Sequence, residues 1–258
     1  MRFEDKVALF SGAASGMGYL TSECFAREGG CVVMTDIDRE ALDRAVERVN
    51  EIRPSCAVGV VCDVRDYEDV CRARDVAVET YGRIDVVCSF AGGAEMRMLS
   101  KELEKLDHEG GWEFPDVPIW VYDWSLDVNL KGQFYFAHAV MKQMREQRSG
   151  VIVCIGSISG EEGDAYSVAY CTSKSAAMNG LVKSLARVGA PYGVRAVSVA
   201  PGPVLTRAAM ANMRTMEGRA AEPQEIVDLI LYLASEQGAF INGTNILIDG
   251  GRNAGRTM

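Results

Sequence analysis

Short apolar runs alternate along the chain with stretches in which apolar residues recur at helical spacing. The apolar runs are rich in Val and Ile, which predicts strands buried on both faces. They span residues 7–11, 32–36, 58–63, 84–89, 151–156, 195–200 and 245–249. Helical spacing begins near Tyr19 and recurs over 39–53, 67–81, 124–147, 169–189 and 222–235. This alternation predicts one doubly wound α/β domain over residues 1–258, with a seven-stranded parallel sheet and helices on both faces.

The segment from about 94 to 122 interrupts this alternation. It carries Trp112, Phe114 and Trp120, and connections of this length are usually functional or disordered. The aromatic residues favour an ordered segment, and we expect it to form a wall or lid over the substrate side of the cleft. A subunit interface or a small satellite core is the alternative, because large aromatic residues are also enriched at interfaces.

Composition narrows the kinds of partner. The chain has 258 residues and a net charge of −9, so it lacks the basic surface that nucleic acids require. No run approaches the about 20 apolar residues that span a bilayer, so we expect no membrane partner. Eight scattered cysteines and two isolated histidines predict reduced thiols and no metal site. With no secretory pattern at the N-terminus, we expect a cytoplasmic protein.

A glycine-rich turn joins the first predicted strand to the helix that follows it. Glycines let the backbone approach a pyrophosphate, and the helix N-terminus supplies N–H donors and partial positive charge. Three glycines could also form an ordinary turn, but the preceding strand and the following helix favour a dinucleotide site. The candidate cofactor contacts in this turn are Ser11, Gly12, Ser15, Gly16, Met17 and Gly18.

Asp36 stands at the end of the second predicted strand, eighteen residues after Gly18. A carboxylate at this place can accept hydrogen bonds from the ribose hydroxyls of NAD and repel the 2′-phosphate of NADP. Neither the glycine turn nor Ile37, which we expect beside the cofactor, offers a basic side chain for that phosphate. We therefore predict NAD as the cofactor. Asp38 is the alternative ribose ligand, and Asp36 could instead form a turn.

Tyr170 and Lys174 are four residues apart in a predicted helix, so their side chains lie one turn apart on one face. A free tyrosine titrates near pH ~10, and a neighbouring ammonium lowers the pKa of the phenol toward neutrality. The pair can therefore exchange a proton with a substrate oxygen. A surface Tyr/Lys pair without function is the ordinary alternative.

Further motifs follow in a fixed order around this pair. Together they resemble the short-chain dehydrogenase/reductase family over essentially the whole chain, and the resemblance implies a Rossmann-type fold. The matching positions are Asp63-Val64, Ala91-Gly92, Asn129, Ser157, Pro201-Gly202, Val204, Thr206 and Asp249-Gly250-Gly251. The resemblance further implies a homodimer or homotetramer, joined through the helices that contain Trp124 and Ala169.

The resemblance also assigns roles to four side chains. It implies that Tyr170 is the general acid and base, and that Lys174 binds the nicotinamide ribose and tunes Tyr170. Ser157 would orient the substrate oxygen, and Asn129 would anchor a water in a proton relay. The other matching positions from 63 to 206 would contact the cofactor.

The expected function is reversible hydride transfer between NAD and a secondary alcohol or ketone. An NAD-dependent epimerase or dehydratase, or a non-catalytic NAD-binding regulator, is the alternative. The candidate substrate contacts are Glu95, Trp112, Trp120, Ser157, Ser159 and Tyr170. One departure from the family pattern is Phe90, which stands where the family has Asn. We expect it to alter packing and to leave activity intact.

Overall fold

The computed structural model describes residues 1–95, 98, 113–206, 210, 212–213 and 215–254. Its centre is one parallel sheet in the order β3-β2-β1-β4-β5-β6-β7. The strands are β1 (Val7–Ser11), β2 (Cys31–Asp36), β3 (Ala57–Val61), β4 (Val86–Ser89), β5 (Gly150–Ile155), β6 (Val194–Pro201) and β7 (Asn245–Ile248). Each predicted run coincides with one of these strands, so the predicted fold class is confirmed.

Helices follow the strands as the sequence predicts. They are α1 (Gly16–Arg27), α2 (Arg39–Ile52), α3 (Tyr67–Tyr81), α4 (Ile119–Leu126), α5 (Gly132–Gln147), α6 (Ser159–Glu162), α7 (Val168–Ala176), α8 (Val182–Gly189) and α9 (Pro223–Ala234). Short 3-10 turns lie at Ala190–Tyr192 and Glu236–Gly238. Within the described ranges, no helix is both long and apolar enough to cross a membrane.

Local chemistry sets where several of these helices begin and end. The carboxylates of Asp38 and Asp66 accept main-chain N–H bonds at the starts of α2 and α3. These bonds satisfy N–H groups that have no partner within the helix. Helix α3 ends at Gly82, whose φ of 78° is in the left-handed region that favours glycine. Pro223 occupies the first turn of α9, where its missing N–H removes no helical bond.

Two apolar layers cover the faces of the sheet. Helices α1, α2 and α9 pack with one face, and α3, α5 and α8 pack with the other. In β1, Ala8 and Phe10 point into the first layer while Leu9 points into the second. All five residues of this strand are buried, as expected for a central strand of a doubly wound sheet.

The strand order reverses between β1 and β4. From β1 the chain runs outward to β2 and β3, then returns to β4 on the other side of β1. The turns after β1 and β4 therefore diverge and leave a crevice at the carboxyl edge of the sheet. Open α/β sheets bind their ligands in such a crevice. Of the described site candidates, those after β1, β2, β3, β4, β5 and β6 follow the carboxyl ends of these strands.

The helices predicted over 124–147 and 169–189 both contain a π turn. The first begins earlier, at Ile119, and passes through a π turn at Asp127–Lys131 before it continues as α5. The second has its π turn at Ala177–Leu181. Single π turns inside helices often occur at functional sites, and the first of these contains Asn129.

Phe90 packs its ring edge-on against Phe10, with the ring centroids 5.8 Å apart. The polar tie between the turns after β1 and β4 comes instead from Ser11, whose Oγ accepts the N–H of Ala91 at 3.2 Å. Ser11 is completely buried. Its side chain therefore joins the two turns from beneath the crevice.

Replacing Phe90 by Ala or Asn is expected to destabilise the fold by about 2 kcal/mol, because a half-buried aromatic contact is lost. Asn gives no rescue, since Ser11 already holds Ala91. Urea unfolding measures the change as a lower midpoint at constant m value. Phe240→Ala is the control, because that ring is fully exposed. Phe90→Asn as stable as the unmodified protein would contradict this account.

Candidate active site

The glycine turn after β1 has no room for side chains at two of its three glycines. A Cβ at Gly18 would lie 2.2 Å from the carbonyl oxygen of Gly12, and a Cβ at Gly12 would lie 2.7 Å from the nitrogen of Ala91. Gly16 has open space around it, but its φ is +56°, which glycine adopts at little cost. Close contacts therefore require glycine at positions 12 and 18, and the backbone conformation favours it at position 16.

The N-terminus of α1 faces the crevice with its N–H groups available. Ser15 precedes the helix and makes no capping bond through its side chain, and the first turn, which contains Met17, holds no acidic residue. No acidic side chain of the first turn therefore offsets the positive end of the helix, which suits a phosphate group. Together with the tightly packed glycines, this arrangement fits the pyrophosphate of a dinucleotide.

Asp36 turns its carboxylate toward the glycine turn. One oxygen accepts the N–H of Ala14 at 3.1 Å, and the other accepts the N–H of Asp38 at 3.2 Å. The second bond is the turn-forming contact that was the alternative reading of Asp36. A carboxylate has about four acceptor sites, so acceptor capacity remains for a ligand. Asp38 instead caps α2 through Ala41, and Ile37 is exposed beside them.

Asp63 and Val64 follow β3 at the same edge. The Asp63 carboxylate is paired with the guanidinium of Arg65, whose hydrogen bonds lower the pKa of that carboxyl. Val64 is buried, and a Cβ at Gly132 would lie 2.9 Å from its Cγ2. Its side chain therefore holds α5 against the end of β3, which leaves its main chain for any ligand contact.

Lys174 brings a buried ammonium to the carboxyl end of β5. It is 3% exposed, and its Nζ donates to the carbonyl of Ile155 at 2.8 Å. Nζ lies 5.6 Å from the centroid of the Tyr170 ring. Burial lowers the pKa of Lys174 to about 8, against a smaller opposing effect of the Cys154 and Cys88 thiols. The predicted pair therefore lies on one face of α7 and is partly withdrawn from water.

Asn129 is fully buried in the π turn, so it is not a solvated polar residue. Its Oδ1 accepts the N–H of Gly93 at 3.0 Å, and its Nδ2 donates to the carbonyl of Gly93 and to that of Ser125, both at 2.8 Å. A Cβ at Gly92 would lie 2.6 Å from Oδ1 and 3.4 Å from Nζ of Lys174. Gly92 thus lets Asn129 and Lys174 approach the turn after β4.

Ser157 follows the end of β5 and is 8% exposed. Its Oγ accepts the N–H of Ser159 at 3.2 Å. Because that bond uses a lone pair, the hydroxyl proton stays available to donate elsewhere. Ser159 opens the short helix α6 and is half-buried.

The segment after β6 is held by main-chain contacts. Gly202 donates its N–H to Ile248 at 2.9 Å, and a Cβ there would lie 2.7 Å from the Cα of Asp249. Pro201 and Val204 are buried, whereas Thr206 is exposed. Among the predicted cofactor contacts Pro201, Gly202, Val204 and Thr206, only Thr206 therefore has a polar side chain, and it is exposed at the surface.

Glu95 is buried, with 1% of its surface exposed, and reaches the helix that carries the Tyr/Lys pair. Its Oε1 accepts the main-chain N–H of Tyr170 at 2.8 Å, while Ser167, at the start of that helix, makes no capping bond. Glu95 therefore caps α7 from 75 positions away. Within the described residues, its Oε2 is buried without a hydrogen-bond partner.

Of the remaining candidate substrate contacts, the structure describes Trp120 but not Trp112. Trp120 is 48% exposed at the start of α4, and Phe114 is 54% exposed, with its carbonyl accepting the Tyr122 hydroxyl at 2.8 Å. Val117 and Val121 form a small apolar cluster beneath this part of the segment.

Sequence reasoning missed two further contacts at this edge. Arg252 makes a bidentate ion pair with Glu162 at the end of α6, with N–O distances of 2.9 Å and 3.1 Å. The side chain of Glu162 is 5% exposed, so its charge is compensated. The second is Gln133, which contacts both Asn129 and Ile155. A single polar residue in an apolar helical pattern gives no signal that distinguishes it from a surface position.

The fold and this crevice define a dinucleotide-dependent enzyme, and three comparisons extend the description. Residues 12–253 match the family described as enoyl-(acyl carrier protein) reductase. The chain is 35% identical to trans-4-hydroxycyclohexanecarboxylate dehydrogenase of Sinomonas cyclohexanicum, with 100% of this chain and 96% of that protein covered.

Two solved structures are also similar. A short-chain type dehydrogenase/reductase from Mycobacterium marinum superposes with a TM-score of 0.85 at 28% identity, over 97% of this chain and 96% of that chain. A 7α-hydroxysteroid dehydrogenase complexed with NADH and 7-oxo glycochenodeoxycholic acid superposes with a TM-score of 0.84 at 25% identity. The match covers 97% of this chain and 95% of that chain. The chain therefore belongs to the short-chain dehydrogenase/reductase family. It is an oxidoreductase that uses a nicotinamide cofactor.

Removing the cap at Glu95 should disturb the helix that carries Tyr170. Glu95→Ala leaves the Tyr170 N–H without an acceptor and should lower kcat and destabilise the fold by about 1–2 kcal/mol. Glu95→Gln keeps a carbonyl acceptor and should retain most of the turnover rate and most of the stability of the unmodified protein. Steady-state kinetics and urea unfolding measure the two variants. If Glu95→Ala and Glu95→Gln behaved alike, the capping role would be wrong.

Proposed function

We propose that the chain interconverts secondary alcohols and ketones with NAD as its cofactor, through Tyr170, Lys174, Ser157 and Asn129. One observation carries the proposal. A buried ammonium, that of Lys174, lies beside the Tyr170 ring at the carboxyl edge of β5, in contact range of the glycine turn after β4. A structural surface pair would not need an ammonium withdrawn from water.

When bound, the nicotinamide supplies or accepts the hydride. Tyr170 moves the proton: its phenol donates to the substrate oxygen when a ketone is reduced, and its phenolate accepts the hydroxyl proton when an alcohol is oxidised. The charge of Lys174 would stabilise the phenolate of Tyr170, because a nearby opposite charge favours the ionised form. This role requires the charged ammonium, and it weakens as the pH rises above about 8 in the free protein.

Ser157 and Asn129 orient the reacting groups. The Ser157 Oγ accepts from Ser159, so its own proton remains available to donate to the substrate oxygen. Asn129 holds the turn after β4 through both main-chain groups of Gly93. In the proposed site it would fix the wall of the crevice that faces the nicotinamide end of the cofactor. These contacts exist before substrate arrives, which is the condition for electrostatic preorganisation.

The substrate side is proposed to be neutral in character. Glu162 is paired with Arg252, and Glu95 is buried against α7. Glu161 and Asp164 remain exposed near the same edge, and like charge would disfavour an anionic substrate there. Among the described residues, we propose that Glu95, Ser159 and Trp120 contact the substrate. Tyr170 and Ser157 would contact its reacting oxygen.

We also propose a homodimer or homotetramer in the cytoplasm. Phe134 on α5 and Val188 on α8 are 48% and 49% exposed, and aromatic residues such as Phe134 are enriched at subunit interfaces. The eight cysteines are free thiols, which suits a reducing compartment. Light scattering coupled to size exclusion measures the mass in solution.

Cofactor preference tests the role of Asp36. NAD should be strongly preferred, and Asp36→Ala should narrow the NAD/NADP ratio of kcat/KM by roughly tenfold or more, because like charges placed together cost several kcal/mol. Asp38→Ala is the matched control: it removes the cap of α2 and should lower stability without changing the ratio. Equal use of both cofactors by the unmodified protein would refute the assignment.

Proton transfer tests the role of Tyr170. Tyr170→Phe should reduce turnover by about 10²- to 10⁴-fold and still bind NADH, measured by nicotinamide fluorescence. Tyr232→Phe on α9 is the control, since that ring lies on a helix away from the crevice and is 40% exposed. Near-normal turnover in Tyr170→Phe would remove Tyr170 from the chemistry.

The activity itself is tested by NADH formation across a panel of sugars, sugar alcohols, steroids and aromatic ketones, read in both directions. Net formation or consumption of NADH with any member supports the proposal. An epimerase or a dehydratase would convert substrate without net NADH, and a regulator would bind NADH without conversion. Either result would replace the proposed function.

A further inference from the structure

Gln133 is a buried amide in the first turn of α5, with 2% of its surface exposed. Every polar atom of its side chain has a main-chain partner. Nε2 donates to the carbonyl of Asn129 at 2.6 Å and to the carbonyl of Ile155 at 3.1 Å. Oε1 accepts the N–H of Ile155 at 2.9 Å. Such a fully satisfied buried amide fixes the groups that it joins.

The two bonds to Ile155 replace a missing strand partner. Strand β4 ends opposite β5 with the pair Ser89 and Cys154, one residue before Ile155. On that side, the N–H of Ile155 would otherwise be buried without a partner, which costs about 1–3 kcal/mol, and the carbonyl would keep only its bond to Lys174. The amide of Gln133 supplies both the donor and the acceptor. It thereby holds the last residue of β5 in place.

The same carbonyl also receives Lys174. Nζ of Lys174 donates to Ile155 at 2.8 Å, so this oxygen accepts two donors, one for each lone pair. Where the ammonium lies beside Tyr170 depends on where this carbonyl is held. Gln133 bonds both main-chain groups of Ile155 on this side, although none of its described contacts is with Tyr170.

We propose that Gln133 is a positioning residue for Lys174: it fixes the Ile155 carbonyl that holds the ammonium and ties that carbonyl to Asn129. The inference rests on the proposed function. It also alters one expectation from the family resemblance, in which Asn129 anchors a relay water. Here the Asn129 carbonyl already accepts Gln133, so a water anchored at that carbonyl would share the oxygen with the amide. Asn129 and Lys174 are therefore joined through protein atoms.

Two variants separate positioning from mere structure. Gln133→Glu keeps the shape and the acceptor for Ile155, but it places a carboxylate next to the Lys174 ammonium and removes the donors. Gln133→Leu keeps the approximate volume and removes all three bonds. Gln143→Leu is the control on the same helix, because Gln143 is bonded to Gln147 at 3.0 Å and lies outside the site.

The first measurement uses the protein without cofactor. The pKa of Lys174 is followed by NMR of lysine-selective ¹³C-labelled protein, with its resonance assigned through Lys174→Arg. Among the described residues, the other groups that act on Lys174 are the Cys154 and Cys88 thiols and the Tyr170 ring, and none of them changes in these variants. A neighbouring anion favours the ammonium, so Gln133→Glu should raise the pKa of Lys174 above the unmodified value of about 8. An unchanged or lower pKa would overturn the proposal.

The second measurement uses the enzyme with cofactor. Gln133→Leu should lower kcat by roughly 10- to 100-fold, since a displacement of about 1 Å near reacting groups can reduce rates about 100-fold. Its NADH affinity should fall as well, because the displaced ammonium faces the cofactor. The pH profile of kcat/KM for Gln133→Glu should shift to higher pH with Lys174. Gln143→Leu should match the unmodified protein in all three readouts.

Unchanged kcat, NADH affinity and pH profile in folded Gln133 variants would overturn the inference alone. If Gln133→Leu does not fold, as judged by circular dichroism, the pKa of Lys174 in Gln133→Glu decides the matter. Absence of turnover in the unmodified protein would refute the proposed function instead. In that case the pKa comparison on the cofactor-free protein still tests whether Gln133 controls Lys174.

Discussion

Main-chain groups buried at the carboxyl edge of the sheet need hydrogen-bond partners, and the strands around them are too short to provide all of them. Three side chains do so: Asn129 for Gly93, Gln133 for Ile155 and Glu95 for Tyr170. Each is buried, and an unpaired group in its place would cost about 1–3 kcal/mol. The same side chains that give these buried main-chain groups their hydrogen-bond partners therefore also orient the residues proposed to carry out the chemistry.

Close backbone approach is the second condition for this arrangement. The turns after β1 and β4 meet where a Cβ at Gly12 would collide with Ala91, and a Cβ at Gly92 would collide with Asn129. Below them, Ser11 ties the two turns together. The polar side chains can reach main-chain atoms only because no side chain separates the segments, so the glycines and the buried amides depend on each other.

The sequence predicted the sheet and the crevice well, because apolar runs and glycine turns report local physics. It did not predict the π turns at Asp127–Lys131 and Ala177–Leu181, since one extra residue in a helical turn barely changes the apolar spacing. The proposed preference for Asp36 over Asp38 as the ribose ligand rests on the observed bond between Asp38 and Ala41. Glu95 was among the candidates, but its contact with Tyr170 joins positions 75 residues apart. Gln133 left no sequence signal, because its partners are main-chain groups that any sequence carries.

The Asp85 carboxylate joins two strands that are distant in the chain, and this distance affects how the protein folds. At the opposite, amino edge of the sheet it accepts the N–H of Val7 at 3.0 Å and pairs with Arg83 at 2.6 Å. Val7 and Asp85 are 78 residues apart, so β1 gains its β4 neighbour only after that length of chain has been ordered or looped out. Such distant pairing slows folding, since the entropy of loop closure is lost before the contact forms. During synthesis, one side of the apolar strand β1 stays unpaired until β4 emerges from the ribosome, and in that interval the nascent chain is most exposed to aggregation.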